Sequence, residues 1–564
     1  MKKIRSLLPL IVFVSFIFSG CDLLNLTDID EQIQKKNQSE KKDVTENNDF
    51  YYFHTIKQSE NSITFDEEFD GKKLFVIYSN ENKESLKLEN QKNKQNTMQI
   101  YKSITNMGNG FYRDEVVFNN PEFIEKSKLD RSTARSVLAY NNHENNKFYA
   151  CIGENDGNEV FENKEFIKKA DGKYCRIWFL DNNSVINSSI LTSDEFKRLA
   201  AVVDSVFLKE KEIFGENAIS KYSNTIVADS NTILDVLVYD LYGDASVNQQ
   251  HGTFGFFNPN DFLLKAHNSE SNECEVIHID SFFLQADIEG FKNSKNEIER
   301  THRIESTLIH EFQHLLHYCQ KSNSDTWFNE MLSMCAEDIF QNVINTKDED
   351  SPKDRFEMYF NSPYKGFKNW LANNNPDVYY CYANAYAFGA YLMRNYGGVK
   401  LINQIATNSS NNDQSITDAL KALGYNEDFS SVFQKFGMIY IMKEEFGKSL
   451  NKKLTEKFKN SDYTLGAIDL DNYHFIVFDN EQNAKFAAEN YIYSTNNYYK
   501  ASYSNGTIVY TLDGPVIYKK NYSFKEEIQT YGFVVYYADI IDSTKTYNIT
   551  KPNDKLTISI VVID

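Results

Sequence analysis

The chain contains 564 residues, enough for roughly two to four domains of ordinary size. Its 80 acidic residues outnumber its 60 basic residues, and the formal net charge is −20 at pH 7. An acidic surface of this kind argues against nucleic acid or an anionic membrane surface as a partner.

A targeting segment is predicted at residues 1–20. Three basic residues precede an apolar run at 7–18, which is too short to remain as a membrane-spanning anchor. The run is followed by Ser19-Gly20-Cys21, which resembles the lipobox of bacterial lipoproteins. This resemblance implies cleavage before Cys21, acylation of that cysteine and a place in the bacterial cell envelope, with the lipid as the contact with the membrane. Plain secretion is the alternative.

Two regions are expected between the targeting segment and the catalytic domain. Residues 21–49 are rich in charged and amide side chains, which is typical of a disordered tether. From residue 50 to 165, short strand-like runs such as KLFVIY at 73–78 alternate with polar turns. This pattern indicates a β-rich N-terminal domain, and a propeptide is the alternative.

The predicted catalytic domain spans residues 166–450. In its first half, apolar runs near 174–180 and 233–239 predict strands, and the run from 193 to 210 predicts a helix. The run EVIHID at 275–280 alternates as a half-buried strand does, which would place His278 on its exposed side.

The motif His310-Glu311-Phe312-Gln313-His314 has the H-E-x-x-H pattern of a zinc-dependent peptidase. Two histidines four residues apart lie on one face of a helix, so both can bind the same metal ion. Glu311 lies where it can take a proton from a metal-bound water molecule.

The helix that carries this motif has one wide apolar face, and its opposite side carries histidines. The apolar face comprises Ile304, Leu308, Ile309, Phe312, Leu315, Leu316 and Cys319, and the other side His310, His314 and His317. A solvated polar side is the alternative interpretation. It is disfavoured because Glu305 and Glu311 are the only acidic or basic residues between 304 and 318 other than histidine.

A catalytic zinc site needs a third protein ligand. The compact motif H-E-x-x-H-x-x-G-x-x-H, which supplies a third histidine, does not fit this chain. His317 occupies its glycine position and Gln320 its last histidine position. The next candidate is a second helix that begins at 325 or 326 and carries Glu330 and Glu337 on its polar side. The two glutamates are two turns apart, about 10 Å along the axis, so only one can easily bind the metal directly.

At this point HEFQHLLHY, followed by TWFNEMLSMCAEDIF, resembles the hyicolysin family of bacterial secreted metallopeptidases. The family belongs to the gluzincins, whose third zinc ligand is a glutamate on a later helix. The resemblance implies that His310, His314 and Glu330 bind zinc and that Glu311 is the general base, with Glu337 as the competing ligand. It also implies that Glu337 or Asp338 orients a ligand histidine through its other nitrogen.

The resemblance extends to the run YYCYANAYAFGAYL at 379–392, which predicts a helix stopped by glycines. Its small residues, Gly389 among them, would permit close helix packing. Gluzincins use a tyrosine or histidine of this region to stabilise the anionic intermediate, which makes Tyr382 and Tyr386 candidates. Simple packing is the alternative for both. The resemblance also implies that the strand at 275–280 is a sheet edge that pairs with an extended peptide.

The fold class that follows is α+β and multidomain. A zincin-like (thermolysin-like) mixed α/β catalytic domain, helical in its second half from 326 to 446, is flanked by the β-rich N-terminal domain and by a β-rich C-terminal domain at 451–564. Six cysteines follow Cys21, and their pairing cannot be read from the sequence, although Cys319 and Cys335 fit core positions. The predicted function is a lipid-anchored zinc endopeptidase acting on protein or peptide substrates, and the alternative is a non-catalytic surface adhesin or binding module.

Overall fold

The computed structural model describes most of the chain from residue 51 onward. The described residues are 51–88, 112–114, 146–155, 158–216, 233–247, 251–263, 265–266, 268–292, 297–371, 375, 377–441, 454–458, 461–468 and 515–564, with strands and single residues inside 474–513. The predicted signal peptide, the tether and Cys21 lie outside them. Within the described residues, no helix combines the length and apolar character that a membrane crossing requires.

The described residues combine helices and strands, so the protein has a mixed α and β fold. The helices are α1 Ser193–Phe214, α2 Ser281–Glu289, α3 Arg303–Lys321, α4 Thr326–Ile344, α5 Phe356–Asn361, α6 Val378–Asn395, α7 Gly398–Thr407, α8 Asn412–Ala422 and α9 Phe429–Phe436. The strands are β1 Tyr51–Thr55, β2 Ser62–Thr64, β3 Lys73–Asn80, β4 Leu86–Lys87, β5 Tyr112–Asp114, β6 Lys147–Asn155, β7 Asn158–Glu165, β8 Ile167–Asp171, β9 Cys175–Phe179, β10 Leu234–Tyr239, β11 His251–Thr253, β12 Gly255–Phe256, β13 Val276–Asp280, β14 Phe291–Lys292, β15 Ile298–Glu299, β16 Leu454–Lys457, β17 Asp462–Leu465, β18 His474–Phe478, β19 Tyr491–Ile492, β20 Tyr499–Ser504, β21 Thr507–Asp513, β22 Ile517–Lys519, β23 Glu527–Ile528, β24 Gly532–Ile540, β25 Thr546–Asn548 and β26 Thr557–Ile563.

The largest sheet joins the two ends of the described chain. Its strand order is β1-β26-β3-β24-β22-β19, and β3 pairs antiparallel with both β26 and β24. Alternate residues of β3 lie on opposite faces, so Phe75 and Ile77 enter the main hydrophobic core. The predicted N-terminal and C-terminal β-rich domains therefore contribute strands to one sheet. Residues 51–564 form one unit by their internal contacts.

A second sheet, of five strands, lies next to the helices. Its order is β12-β13-β10-β9-β8, with β9, β10 and β13 parallel and the outer two strands antiparallel. Strand β10, with the sequence LDVLVY, is buried at every position, as expected for a strand covered on both faces. The ring of Phe207 in α1 stacks on Phe312 in α3 with centroids 5.0 Å apart, which packs α3 against α1.

The strand at 275–280 differs from the prediction in two respects. All five residues of β13 are buried, and β13 pairs with β10 on one side and β12 on the other, so it is not a sheet edge. His278 was expected on an exposed side, but its ring is fully buried between the hydroxyl of Tyr239, 2.9 Å from Nδ1, and the carboxylate of Asp261, 2.9 Å from Nε2. These two partners satisfy the imidazole and allow it to occupy the interior.

Helices α3 and α4 form an antiparallel hairpin, and α6 packs against α4. Gly389 of α6 makes this packing close, because a Cβ at that position would lie 2.6 Å from Sγ of Cys335. The C-terminal region also contacts α4, since the ring of Tyr531 packs edge-on against the buried indole of Trp327. All six cysteines in the described residues are buried and form no disulfide with one another, and Cys319 and Cys335 belong to the core as expected.

Candidate metal centre

The position of α3 is fixed at its first turn by Asp287 from α2. The carboxylate accepts hydrogen bonds from the backbone N–H of Ile304 at 2.8 Å, from Nε of Arg303 at 2.7 Å and from the hydroxyl of Thr301 at 2.5 Å. A carboxylate at a helix N-terminus satisfies free N–H groups and interacts favourably with the helix dipole. The start of α3, and hence the direction in which its histidines project, is therefore set by a buried contact.

The ligand atoms of His310, His314 and Glu330 converge between α3 and α4. Nε2 of His310 lies 3.1 Å from Oε2 of Glu330, and Nε2 of His314 lies 3.5 Å from Oε1 of the same carboxylate. One ligand atom from each of the three residues lies within 4.8 Å of the others. The side chains of His310 and Glu330 are fully buried, and His314 is 6% exposed.

These separations suit a zinc ion. Bonds of about 2.0–2.1 Å in tetrahedral geometry place neighbouring ligand atoms about 3.3 Å apart. The 3.1 Å distance joins His310 to Oε2 of Glu330 and the 3.5 Å distance joins His314 to Oε1, so the two involve different oxygens of one carboxylate, and both are close to that value. Two imidazoles and one carboxylate are also a donor set that catalytic zinc uses, leaving a fourth position for water. The residues present therefore fit the metal that the motif implies.

The other ring nitrogen of each histidine is also held. Nδ1 of His310 lies 2.7 Å from Oε1 of Glu337, whose second oxygen accepts the hydroxyl of Ser306 at 2.5 Å. Nδ1 of His314 lies 2.9 Å from Oγ of Ser333. With Nδ1 held in this way, each ring turns Nε2 toward Glu330. Glu337 thus lies behind His310, on the side away from Glu330.

Glu311 directly follows His310 in α3 and is 2% exposed. Its Oε2 accepts a hydrogen bond from the backbone N–H of Phe257 at 3.0 Å. Phe257 directly follows β12, which approaches α3 closely at Gly255, where a Cβ would lie 2.8 Å from Cγ2 of Thr307. The carboxylate is therefore oriented by the end of β12, one of the two edge strands of the five-stranded sheet.

Of the remaining candidates, Asp338 and Tyr386 lie in a second cluster around Arg394. Asp338 accepts two hydrogen bonds from Arg394, at 2.8 and 3.0 Å, and one from the hydroxyl of Tyr386 at 3.1 Å. Although burial opposes its ionisation, the Arg394 guanidinium holds the pKa of Asp338 below its ordinary value. The ring of Tyr382 packs edge-on against Trp370 with centroids 4.6 Å apart. The structure thus brings Glu337 to a ligand histidine, and it brings Asp338 and Tyr386 to Arg394.

His317 has a different environment from the other two histidines of α3. Its ring packs edge-on against Phe328 at 5.7 Å, and neither ring nitrogen has a hydrogen-bond partner among the described residues. Burial, with smaller contributions from the neighbouring charges of Lys321 and His314, lowers the pKa of His317 to about 3. The imidazole is therefore neutral and packs in the interface of the α3–α4 hairpin.

Three supporting groups were missed by sequence reasoning: Asp287, Ser333 and the backbone N–H of Phe257. A signal existed for Ser333, which is three residues after Glu330 and four before Glu337 and so lies on the same side of α4. Asp287 and Phe257 reach the site from other elements, and their spacing along the sequence carries no such signal.

No protein-family model matches this chain, and no curated protein matches it. The likeness to hyicolysins therefore stays a prediction that depends on the three motifs themselves.

Proposed function

We propose that this protein is a zinc-dependent endopeptidase, held at a bacterial membrane by a lipid on Cys21. The observation that carries the proposal is the convergence of His310, His314 and Glu330, with Glu311 next to His310 on the same helix. A zincin-like architecture of the catalytic region belongs to the same proposal. It is supported by the position of a mixed sheet directly next to the helix that carries the motif.

The substrate would bind along β12, the edge strand of the five-stranded sheet that lies next to Glu311 within the described residues. An extended peptide adds to such a strand through backbone hydrogen bonds. Because Phe257 at the end of β12 contacts Glu311, a peptide paired there would pass beside the proposed base. This position replaces the one predicted at β13.

Each residue of the site has a separate task in the proposed hydrolysis. His310, His314 and Glu330 would hold the zinc ion, which when bound lowers the pKa of its water and polarises the peptide carbonyl. Glu311 accepts the proton of the attacking water and passes it to the departing amine. The N–H of Phe257 holds one oxygen of Glu311 and so orients the carboxylate.

The test compares the wild-type chain with Glu311→Gln for zinc content and for hydrolysis of fluorescently labelled casein. We expect both proteins to bind one zinc ion, and we expect the variant to lose at least about 100-fold in rate, the usual contribution of a general base. Glu289→Gln, an exposed position at the end of α2, is the matched control and should keep full activity.

Two results would count against the proposal. If zinc content is the same in His310→Ala as in wild type, the metal is bound elsewhere. If the zinc-loaded wild-type chain leaves casein and a mixed peptide library intact, the site does not hydrolyse peptides, and the adhesin or binding-module alternative is favoured.

A further inference from the structure

The two proposed histidine ligands are held by groups of different charge. His310 has the carboxylate of Glu337 at 2.7 Å from Nδ1, whereas His314 has the neutral hydroxyl of Ser333 at 2.9 Å. Ser333 is fully buried on α4, one turn after Glu330. It therefore lies directly behind His314, on the side away from Glu330.

The hydrogen-bond direction at Ser333 follows from the chemistry of the ring. For Nε2 of His314 to offer its lone pair to a metal ion bound next to Glu330, the proton must sit on Nδ1 and be donated to Oγ of Ser333. The serine hydroxyl then donates in turn, and Oε1 of Gln313 is its closest acceptor. The carbonyl oxygen of Asn329 at 3.2 Å is a second acceptor. The chain of donors runs from His314 through Ser333 to Gln313.

Charge explains why a neutral group suits this position. Glu330, Glu311 and Glu337 already bring three carboxylates to a site that would hold one divalent cation. A fourth carboxylate behind His314 would add an uncompensated buried charge, which is costly. A hydroxyl fixes the ring without adding charge.

We propose that Ser333 is a positioning residue that fixes the tautomer and orientation of His314 for metal binding. This inference rests on the proposed zinc site and does not depend on peptide hydrolysis. Hydrogen-bond partners behind a metal ligand contribute about 10- to 100-fold to metal affinity. We expect the contribution of the neutral Ser333 to metal affinity to lie at the lower end of that range, and that of the charged Glu337 at the upper end.

The experiment measures zinc affinity of the full chain by competition with a chromophoric chelator. In Ser333→Ala, the dissociation constant for zinc should rise about 10-fold, because Nδ1 of His314 loses its acceptor. Cobalt(II) in place of zinc provides a spectroscopic readout, since a less constrained His314 changes the visible absorption bands. Ser333→Thr retains the hydroxyl and should recover most of the affinity.

Ser271→Ala is the matched control. Ser271 is also fully buried, and its hydroxyl donates to the carbonyl oxygen of Leu263 at 2.5 Å, so its loss costs a buried hydrogen bond away from the site. The zinc affinity of the Ser271→Ala variant should equal that of wild type. If Ser333→Ala binds zinc as tightly as wild type with an unchanged cobalt spectrum, the positioning role is refuted.

Two further outcomes separate this inference from the proposed function. If Ser333→Ala does not fold, Ser333→Thr provides the test instead. This variant retains the hydroxyl, so a folded threonine variant that binds zinc weakly would contradict the positioning role. If wild type binds zinc without cleaving peptides, the endopeptidase proposal fails, and an affinity loss in Ser333→Ala would still support the assignment of Ser333. A wild-type chain that binds no zinc overturns both.

Discussion

Removing the guanidinium of Arg394 should destabilise the protein strongly. Arg394 and Asp338 are both fully buried, and the carboxylate accepts hydrogen bonds of 2.8 and 3.0 Å from Arg394 and of 3.1 Å from Tyr386. In Arg394→Met, Asp338 would keep one neutral donor for a buried negative charge. Removing one partner of a buried ion pair lowers the free energy of unfolding by about 3–5 kcal/mol, because the other charge is left buried without compensation. This loss is larger than the stability that the pair provides relative to two apolar residues.

The assay is urea unfolding of the metal-free protein, followed by tryptophan fluorescence, because bound zinc would add its own stabilisation. Arg394→Met should lower the free energy of unfolding by about 3–5 kcal/mol, and Asp338→Asn should lower it by a similar amount. The double variant should lose clearly less than the sum of the two, since neither charge is then left alone. A loss below about 1 kcal/mol in Arg394→Met, or strict additivity in the double variant, would refute the reasoning.

Three further predictions concern single side chains. Glu210 of α1 is fully buried, and neither oxygen has a hydrogen-bond partner among the described residues, so burial raises its pKa well above 4.5. The folded state then binds more protons than the unfolded state above about pH 4.5, and stability falls as pH rises. At pH 8, Glu210→Gln should therefore have its unfolding midpoint at a higher urea concentration than wild type. The difference between the two midpoints should shrink toward pH 5. Glu337→Gln should weaken zinc binding by about 10- to 100-fold in a chelator competition, and unchanged affinity would count against its contact with His310. Tyr386→Phe should cost about 1 kcal/mol in urea unfolding and leave casein hydrolysis near wild type, whereas a loss of about 100-fold in kcat would support the catalytic role considered for this tyrosine.

Local patterns predicted the helices and strands near the site well. The residues from Ile304 to Cys319 were expected to lie on one helix, and α3 spans Arg303–Lys321. A period of 3.6 residues depends only on neighbouring positions, and the same is true of the strand-like run at 73–78 that predicted β3. The convergence of the two histidines follows from the same local geometry.

Features that depend on distant residues were not predictable in this way. Strand β12 is only two residues long, too short to show a period, so the true neighbour of β13 was missed. The burial of His278 depends on Tyr239 and Asp261, which come from other elements. The pairing of β3 with β24 and β26 was likewise not predictable. Many apolar strands could pair with β3, and the alternation of side chains along a strand does not select among them.

The order of synthesis gives the sheet that joins both ends of the described chain a distinct folding history. Both neighbours of β3 come from the last part of the sequence, so a nascent chain that stops before Gly532 has β3 with two unpaired edges. Unpaired edges template aggregation, and closing a loop of several hundred residues costs about 3 kcal/mol more than closing one of ten. The α3–α4 hairpin, whose contacts are local, can assemble long before. Folding assistance would thus matter most in the interval between the appearance of β3 and the arrival of its partners.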